Sequence, residues 1–387
     1  MASKPSFGAD LAGASRLALE AVAGVTELVE AVHMNVLNKA IGTPLVRPLA
    51  GVTRLVYRGV KGVTRMVGGG LDHMLDKLVP ALAEQPGWAG REALLAAVNG
   101  VLGDRLAASE NPLAIPMSLR IASAPGQAGG ASSRILVLAH GLCMNDLQWQ
   151  RDGVDHGATL ARERGYTPVY LRYNSGLHIS LNGRALAQQL EALLASWPVA
   201  VEEIVILGHS MGGLVARSAC HYGAHAGHLW PARLRHLVFL GTPHHGAPLE
   251  RGGNWVHLLT GRNAYSAPFA RLAIIRSAGI TDLRHGSLVD DDWEGQDRFA
   301  PGAALPRFLP LPSAVRCHAI AATIGKREGD LADRLLAGDG LVPLASAQGR
   351  HPDPARCLAL DSVVLYQTNH MQLLSSPEVS AHLLKWL

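Results

Sequence analysis

Cysteine is scarce in this sequence, and its spacing excludes two common kinds of site. The chain has 387 residues and 4 cysteines, and no two of the cysteines form a C-x-x-C pair. A zinc knuckle and a thioredoxin-type redox motif are therefore excluded. So few cysteines are typical of a reducing compartment, and we expect a cytoplasmic protein. If the chain were exported, Cys317 and Cys357 could form a disulfide.

Charged residues and long apolar runs are scarce as well. Only 17% of the residues are charged, whereas 48% are hydrophobic. The net charge of +4 is too small to indicate nucleic-acid binding. No apolar run reaches about 18 residues, so no transmembrane helix is expected, and the N-terminus lacks the pattern of a signal peptide. The composition instead predicts a large core and apolar surface for contact with lipid or protein.

The first 110 residues have helical spacing and almost no strand signal, which predicts a helical N-terminal extension. Apolar residues between 52 and 71 recur at steps of three and four, the pattern of an amphipathic helix. Residues 31–71 contain no Asp or Glu, and the polar face is basic. This helix could lie on an anionic lipid surface, or it could pack on the main domain with its basic face in solvent. A second helix is predicted over about 90–108.

From residue 111 onward strand and helix patterns alternate, which indicates one α/β domain over residues 111–387. Apolar runs rich in Val, Ile and Leu predict buried parallel strands with helices on both faces of the sheet. Predicted strands cover residues 115–122, 134–140, 167–173, 202–208, 234–241, 317–325 and 361–367, and predicted helices cover 158–165, 182–197, 211–223 and 377–387.

The segment from about 247 to 312 interrupts this alternation. It is long and punctuated by Pro and Gly, as functional lids and disordered segments are. Its apolar residues, among them Trp255, Phe269 and Ile274, favour an ordered lid.

Residues 205–213, VILGHSMGG, place a serine among glycines at the end of a predicted strand. A G-x-S-x-G motif alone is weak evidence in a chain with 42 glycines. Here it joins a strand to a helix, as in a nucleophile elbow, and Gly208 and Gly212 would let the two arms approach around a strained Ser210. We therefore predict Ser210 as a catalytic nucleophile. The alternative is a tight turn with an incidental hydroxyl.

A serine nucleophile needs a base, and the base needs a carboxylate that orients it. His370 follows the last predicted strand and precedes the C-terminal helix, so we predict it as the base. Asp339 lies between two glycines in the preceding connection and is the predicted acid, with Asp330 and Asp333 as alternatives. The order Ser, Asp, His is that of α/β-hydrolases.

The oxyanion formed by attack on an ester needs N–H donors. Met211 follows the nucleophile and would supply one donor, and Leu142, in the loop after an earlier strand, would supply the second. Cys143 beside it is interpreted as a small buried residue rather than a nucleophile, and His209 is expected to point away along the turn. The residues assigned to the substrate pocket or lid are His140, Cys143, His209, His244 and Trp255.

With these residues the sequence resembles bacterial α/β-hydrolase lipases and esterases, and among them the group similar to GPI inositol-deacylases. The matching stretches lie in the order of that family: LAHGLCMND, LGHSMGG, FLGTPHHGAP, GDGLVPLASA and NHMQLLSSPEV. The resemblance implies an α/β-hydrolase fold, a triad of Ser210, Asp339 and His370, oxyanion donors at Leu142 and Met211, and a lid after GTPHHG. Inositol-deacylases span membranes and this sequence has no predicted span, so their substrate is not implied.

The expected function is that of a serine carboxylic-ester hydrolase that forms an acyl-enzyme on acyl lipid or another hydrophobic ester. This chemistry requires no metal and no organic cofactor. Two alternatives remain open. An acyltransferase could use the same triad if an alcohol replaced water, and a non-enzymatic protein could keep the hydrolase fold and bind lipid surfaces through residues 31–71.

Overall fold

The computed structural model describes residues 89–122, 131–247, 277–296, 305–327, 329 and 338–387. The predicted amphipathic helix between residues 31 and 71 lies outside these ranges. So does most of the predicted lid, including Trp255. Among the described helices, none combines the length and the apolar character needed to cross a bilayer.

The described residues form a seven-stranded sheet in the order β1-β3-β2-β4-β5-β6-β7. Strand β1 is antiparallel to β3, and all the other neighbouring pairs are parallel. The mostly parallel sheet predicted from the sequence is therefore confirmed. The strands are β1 (Ser118–Ile121), β2 (Arg134–Ala139), β3 (Thr167–Arg172), β4 (Glu203–His209), β5 (Leu234–Leu240), β6 (Arg316–Thr323) and β7 (Asp361–Tyr366).

Helices cover this sheet, as expected where the strands are apolar throughout. Strands β2 and β4 are buried along almost their whole length, which requires cover on both faces. Helix α3 packs against α4, and α2 packs against α7. The helices are α1 (Ala89–Ala108), α2 (His156–Arg164), α3 (Ile179–Ser196), α4 (Met211–His225), α5 (Ala278–His285), α6 (Leu344–Ala347) and α7 (Pro377–Trp386).

Local sequence signals account for the ends of several helices. Asp155 caps α2 by accepting a hydrogen bond from Ala158 N, and Gly165 ends the helix with a left-handed φ of 71°. Ser277 caps α5 in the same way, and Ser376 caps α7. These caps satisfy N–H groups that have no partner within the helix.

Helix α1 packs directly on the α/β domain. Asn99, which is fully buried, donates to Leu113 O at 2.8 Å and accepts from Ile115 N at 2.9 Å. A Cβ atom on Gly176, in the loop after β3, would lie 2.1 Å from Asn99 O, so only glycine permits this close approach. The helix predicted for residues 90–108 thus contacts the loops at the carboxyl edge of the sheet.

The parallel strands end in register at this carboxyl edge. Ala139 of β2 pairs with Gly208 of β4, and His209 of β4 pairs with Leu240 of β5. Farther along the sheet, Thr323 of β6 pairs with Tyr366 of β7. The loops that follow β2, β4, β5, β6 and β7 therefore begin at one edge, where ligands bind in open α/β sheets.

The contact of α1 with the domain can be tested at Asn99. Replacing Asn99 with Leu leaves Leu113 O and Ile115 N–H buried without their partner, and each such group costs about 1–3 kcal/mol. We expect the free energy of unfolding, measured in urea, to fall by about 2–6 kcal/mol. Ala107→Leu on the exposed side of α1 is the control and should change it by less than about 0.5 kcal/mol. Equal stability of the two variants would contradict this packing.

Candidate active site

Ser210 lies in a strained turn between β4 and α4. Its φ of 53° and ψ of −123° are unusual for a residue with a side chain, and such a conformation costs of the order of 1–3 kcal/mol. Its backbone N–H donates to Leu240 O at 2.8 Å, which fixes the turn against the end of β5. The strained strand-to-helix turn predicted from the sequence is therefore present.

Two glycines make this turn possible, as expected. A Cβ atom on Gly208 would lie 2.5 Å from Gly213 Cα, so the strand and the helix could not approach each other with any larger residue there. A Cβ atom on Gly212 would lie 2.1 Å from Ala139 O. Glycine at these positions brings the start of α4 against the end of β2, where the loop with Leu142 begins.

The Ser210 hydroxyl does not cap helix α4, which begins at the next residue. Serine at an N-cap usually accepts a hydrogen bond from an N–H group of the first turn, as Ser277 and Ser376 do here. Ser210 occupies the N-cap position of α4 and makes no such bond. Helix capping therefore does not account for a serine at this position.

Asp339 and His370 form a buried pair at the same edge of the sheet. His370 Nδ1 lies 2.6 Å from Asp339 Oδ2, and both side chains are fully buried. The other oxygen of Asp339 accepts hydrogen bonds from Leu341 N and Val342 N at 3.0 and 2.8 Å. The carboxylate is thus held from both sides, and its position makes Nδ1 the protonated nitrogen of His370.

With Nδ1 protonated, Nε2 of His370 carries the lone pair. This nitrogen is buried and has no hydrogen-bond partner among the described residues. A Cβ atom on Gly241, the residue after β5, would lie 3.1 Å from both His370 Nδ1 and Asp339 Oδ2. Ser210 N donates a hydrogen bond to Leu240 O, and Leu240 precedes Gly241. The Asp339–His370 pair therefore lies next to the turn that holds Ser210.

His209 contacts His370 directly. The two ring centroids are 4.7 Å apart, and His209 Nε2 lies 3.2 Å from the carbonyl oxygen of His370, to which it donates. Burial and the neighbouring His370 hold the pKa of His209 well below its usual range, so this imidazole is neutral near pH 7. The sequence analysis expected His209 to point away along the turn. It did not foresee the contact of this ring with His370.

The two residues predicted as oxyanion donors are Met211, at the start of α4, and Leu142, in the loop after β2. Both are fully buried. The Met211 N–H belongs to the first turn of a helix, where N–H groups have no partner within the helix. A Cβ atom on Gly141, the residue before Leu142, would lie 3.1 Å from Ser210 Cβ. The Leu142 loop therefore lies beside the serine.

Contacts with α1 and with the loop after β3 hold the Leu142 loop in place. Cys143 has a left-handed φ of 59°, and its N–H donates to Ser175 Oγ at 3.0 Å. Its thiol packs so closely on Gly100 of α1 that a Cβ atom there would overlap the sulfur. Burial raises the pKa of Cys143 to about 12, so it is a neutral buried thiol, as the sequence interpretation expected. Cys317 and Cys357 are separate free thiols.

His140 supports the same loop from inside the domain. Its ring stacks on Tyr173 with centroids 4.3 Å apart, and Tyr173 Oη donates to His140 O at 2.8 Å. Burial lowers the pKa of His140 to about 4. Sequence reasoning missed Tyr173 and Ser175, although Tyr173 ends a predicted strand at this edge of the sheet and Ser175 follows it.

His244, assigned from the sequence to the substrate pocket or lid, lies in the loop after β5 and packs against α4. It contacts Phe239 edge to face and approaches Arg217 of α4 at 3.4 Å. His244 and Arg217 line a cavity. Ser210, Asp339 and His370 are not among the residues that line it. Arg217 had no sequence signal, because it is the one arginine in a helix of mostly apolar and small side chains.

Comparison with known proteins agrees with the sequence resemblance. Residues 133–310 match the model of a family described as the PGAP1-like alpha/beta domain. Among curated proteins, no significant match exists. The matched range contains β2 to β5 and Ser210, whereas Asp339 and His370 lie beyond it. Over this range the chain is similar to the PGAP1-like alpha/beta domain, in agreement with the mostly parallel sheet and covering helices of the described residues.

Solved structures of bacterial lipases and esterases are among the similar folds. The lipase BlEst2 of Bacillus licheniformis in propeptide form has 17% identity and a TM-score of 0.44, over 69% of this chain and 53% of that chain. Its mature form has 17% identity and a TM-score of 0.43, over 70% and 98%. A putative aryl esterase from Burkholderia cenocepacia has 15% identity and a TM-score of 0.39, over 71% and 95%. This chain thus spans about half of the propeptide form.

The buried histidines of the site predict a loss of stability in mild acid. The pKa of His140 is about 4 in the folded protein and near 6.5 in an unfolded chain. Below pH 6.5 the unfolded chain therefore binds a proton that the folded chain does not. The resulting contribution, about 3 kcal/mol for His140, is complete above pH 6.5 and is lost as the pH falls to about 4.

His140→Phe keeps the ring on Tyr173 and removes this proton. In urea unfolding between pH 7 and 5, we expect the free energy of unfolding to depend on pH less steeply, by up to about 1.4 kcal/mol per pH unit near pH 5. His225→Phe removes an exposed imidazole and serves as the control. A slope that stays the same in His140→Phe would show that His140 is protonated in the folded state.

Proposed function

We propose that this α/β-hydrolase is a serine carboxylic-ester hydrolase with Ser210 as nucleophile, His370 as base and Asp339 as the acid that orients the base. The observation that carries the proposal is the buried Asp339–His370 pair, whose Nε2 atom has no partner within the described residues beside a strained serine turn. A serine at neutral pH needs such a base in order to attack a carbonyl carbon.

In the proposed reaction Ser210 Oγ attacks the ester carbonyl while its proton moves to His370 Nε2. Asp339 stabilises the imidazolium through Nδ1–H. The tetrahedral intermediate places its negative oxygen between the N–H groups of Leu142 and Met211. Collapse of the intermediate transfers the His370 proton to the leaving alcohol and leaves an acyl group on Ser210. Water, deprotonated by His370, then releases the carboxylic acid and restores the serine.

Two features of the site support this assignment of roles. The positive end of α4 points at Ser210, and charge that develops there is stabilised by the helix dipole and the unpaired N–H groups. The Leu142 loop is held by Cys143 N–H, Ser175 and α1, so its donors are positioned before a substrate arrives. Preorganised donors of this kind stabilise a transition state more than mobile ones.

The proposed substrate class is an ester with a hydrophobic acyl group, such as an acyl lipid. The support is compositional: 17% of the residues are charged, and the predicted lid segment is rich in apolar residues. Hydrolysis of p-nitrophenyl esters from acetate to dodecanoate should show kcat/KM rising with chain length, because each further buried CH₂ contributes about 0.8 kcal/mol. A maximum at acetate would contradict a hydrophobic acyl site.

The nucleophile is tested with Ser210→Ala. We expect kcat/KM for p-nitrophenyl esters to fall at least about 1,000-fold, because no other group can form the acyl-enzyme. Labelling by a fluorophosphonate probe should be lost as well. Ser196→Ala, on the exposed part of α3, should keep both activity and labelling. Activity of Ser210→Ala near that of the wild type would overturn the proposal.

The role of the acid is tested with Asp339→Asn. The amide retains the size of the side chain but favours the wrong His370 tautomer, so kcat should fall by about 10³–10⁴-fold.

Product analysis with an added alcohol separates hydrolysis from acyl transfer. Free acid as the main product supports a hydrolase, and a new ester as the main product would identify a transferase.

A further inference from the structure

The cavity lined by Arg217 and His244 has a volume of about 40 Å³ and lies on the α4 side of the sheet. It is bounded by α4, by the loop after β5 and by residues 305–309, and it is separate from the residues of the proposed active site. Its lining combines arginine and histidine side chains with apolar residues. The basic residues that the argument uses are Arg217, His244, His245, Arg307, His351 and Arg356.

Arg217 is a buried guanidinium with no carboxylate to balance its charge among the residues that line this cavity. Only 6% of the residue is exposed. It donates to the backbone oxygen of Leu309 at 2.6 Å, and its Nε atom has no partner among the described residues. Burial lowers the pKa of Arg217 to about 10. Burying an unpaired charge costs several kcal/mol, so an anion on Arg217 would remove a large penalty.

His244 adds a second donor without an acceptor. Arg217 Nη1 lies 3.4 Å from His244 Nδ1, and because a guanidinium can only donate, Nδ1 must be the acceptor. The neutral ring therefore carries its hydrogen on Nε2, which is buried and unpartnered within the described part of the chain. Burial, Arg217 and His245 keep the pKa of His244 well below its usual range.

Arg356 supplies a third such donor from the other wall. It donates to Pro306 O at 2.7 Å and packs near Phe308, while its Nε atom is buried and unpartnered in the same residue ranges. Arg307 differs, because Asp291 lies 3.3 Å from its guanidinium. The cavity thus brings together three residues that each have an unused N–H donor, and no lining residue is acidic.

We propose that this cavity binds a phosphate group through Arg217, His244 and Arg356. A single water needs about 10–15 Å³ of such volume, so the cavity has room for a group of several atoms. Three donors from different directions match the oxygens of a phosphate better than the two oxygens of a carboxylate, and arginine is well suited to phosphate. The site requires no step at Ser210 and does not rest on the proposed function.

The cavity lies close to the proposed nucleophile along helix α4. Arg217 lies six residues after Met211 on α4, which is about 9 Å along the helix axis. A phosphate held there is either a free anion or the headgroup of a lipid whose acyl ester reaches Ser210, and only the second source rests on the proposed function. Both sources present the same chemistry to Arg217, and the experiment separates them.

The probe is inorganic phosphate, and binding is measured by isothermal titration calorimetry on the full chain. We expect saturable binding to the wild type, unchanged in Ser210→Ala, and at least tenfold weaker binding to Arg217→Met, because a hydrogen bond to a charged group contributes about that much. Acetate should bind more weakly than phosphate.

Arg164→Met is the matched control. Arg164 also donates to a backbone oxygen at 2.6 Å, that of Leu384, but it does not line the cavity. Its substitution removes the same charge and should leave the phosphate affinity unchanged. If Arg217→Met does not fold by circular dichroism, Arg356→Met, which is less buried, replaces it with the same expectation. No binding to the wild type, or equal weakening in Arg164→Met, would overturn the proposal.

A second titration uses monomeric dihexanoyl phosphatidic acid. Tighter binding than inorganic phosphate, lost in Arg217→Met, identifies a lipid headgroup as the source. Equal or weaker binding, with inorganic phosphate still dependent on Arg217, identifies a free phosphate. Lipid binding that is the same in wild type and Arg217→Met would place the lipid elsewhere and count against this cavity as a headgroup site.

Discussion

The register of the parallel strands is the constraint on which the candidate site depends. Because β2, β4, β5, β6 and β7 end at one edge, residues far apart in sequence begin their loops side by side. The serine turn, the Leu142 loop and the Asp339–His370 pair all start from these strand ends. A slip of one residue in a strand would turn its side chains to the opposite face and separate these groups.

Strain at Ser210 has to be stabilised by the rest of the domain. The serine adopts its unusual conformation because glycines on both sides remove the Cβ atoms that would otherwise clash, and because Leu240 holds its N–H group. The surrounding strands are almost completely buried, and their packing supplies the stabilisation. A rigid core is therefore a condition for the strained backbone of Ser210.

Much of this arrangement could be predicted from the sequence. Strands rich in Val, Ile and Leu, glycines around Ser210 and the order of Asp339 and His370 are local signals, and the sheet is as expected. The environments of His209, His244 and Arg217 could not be predicted. They depend on which loops fold back over α4 and on pairs such as His209 with His370, 161 residues apart, for which the sequence has no period or motif. Catalytic roles for the site residues stay predictions.

The hydrogen bond from His209 to the backbone of His370 has a consequence for thermal motion. His209 is joined covalently to Ser210, so displacement of the serine turn pulls on the carbonyl group of the histidine segment. We therefore expect the fluctuations of the two segments to be correlated, so that their separation varies less than the position of either one. In a reaction that depends on distances of about 3 Å between heavy atoms, correlated motion preserves the relevant distance even when the whole edge of the sheet moves.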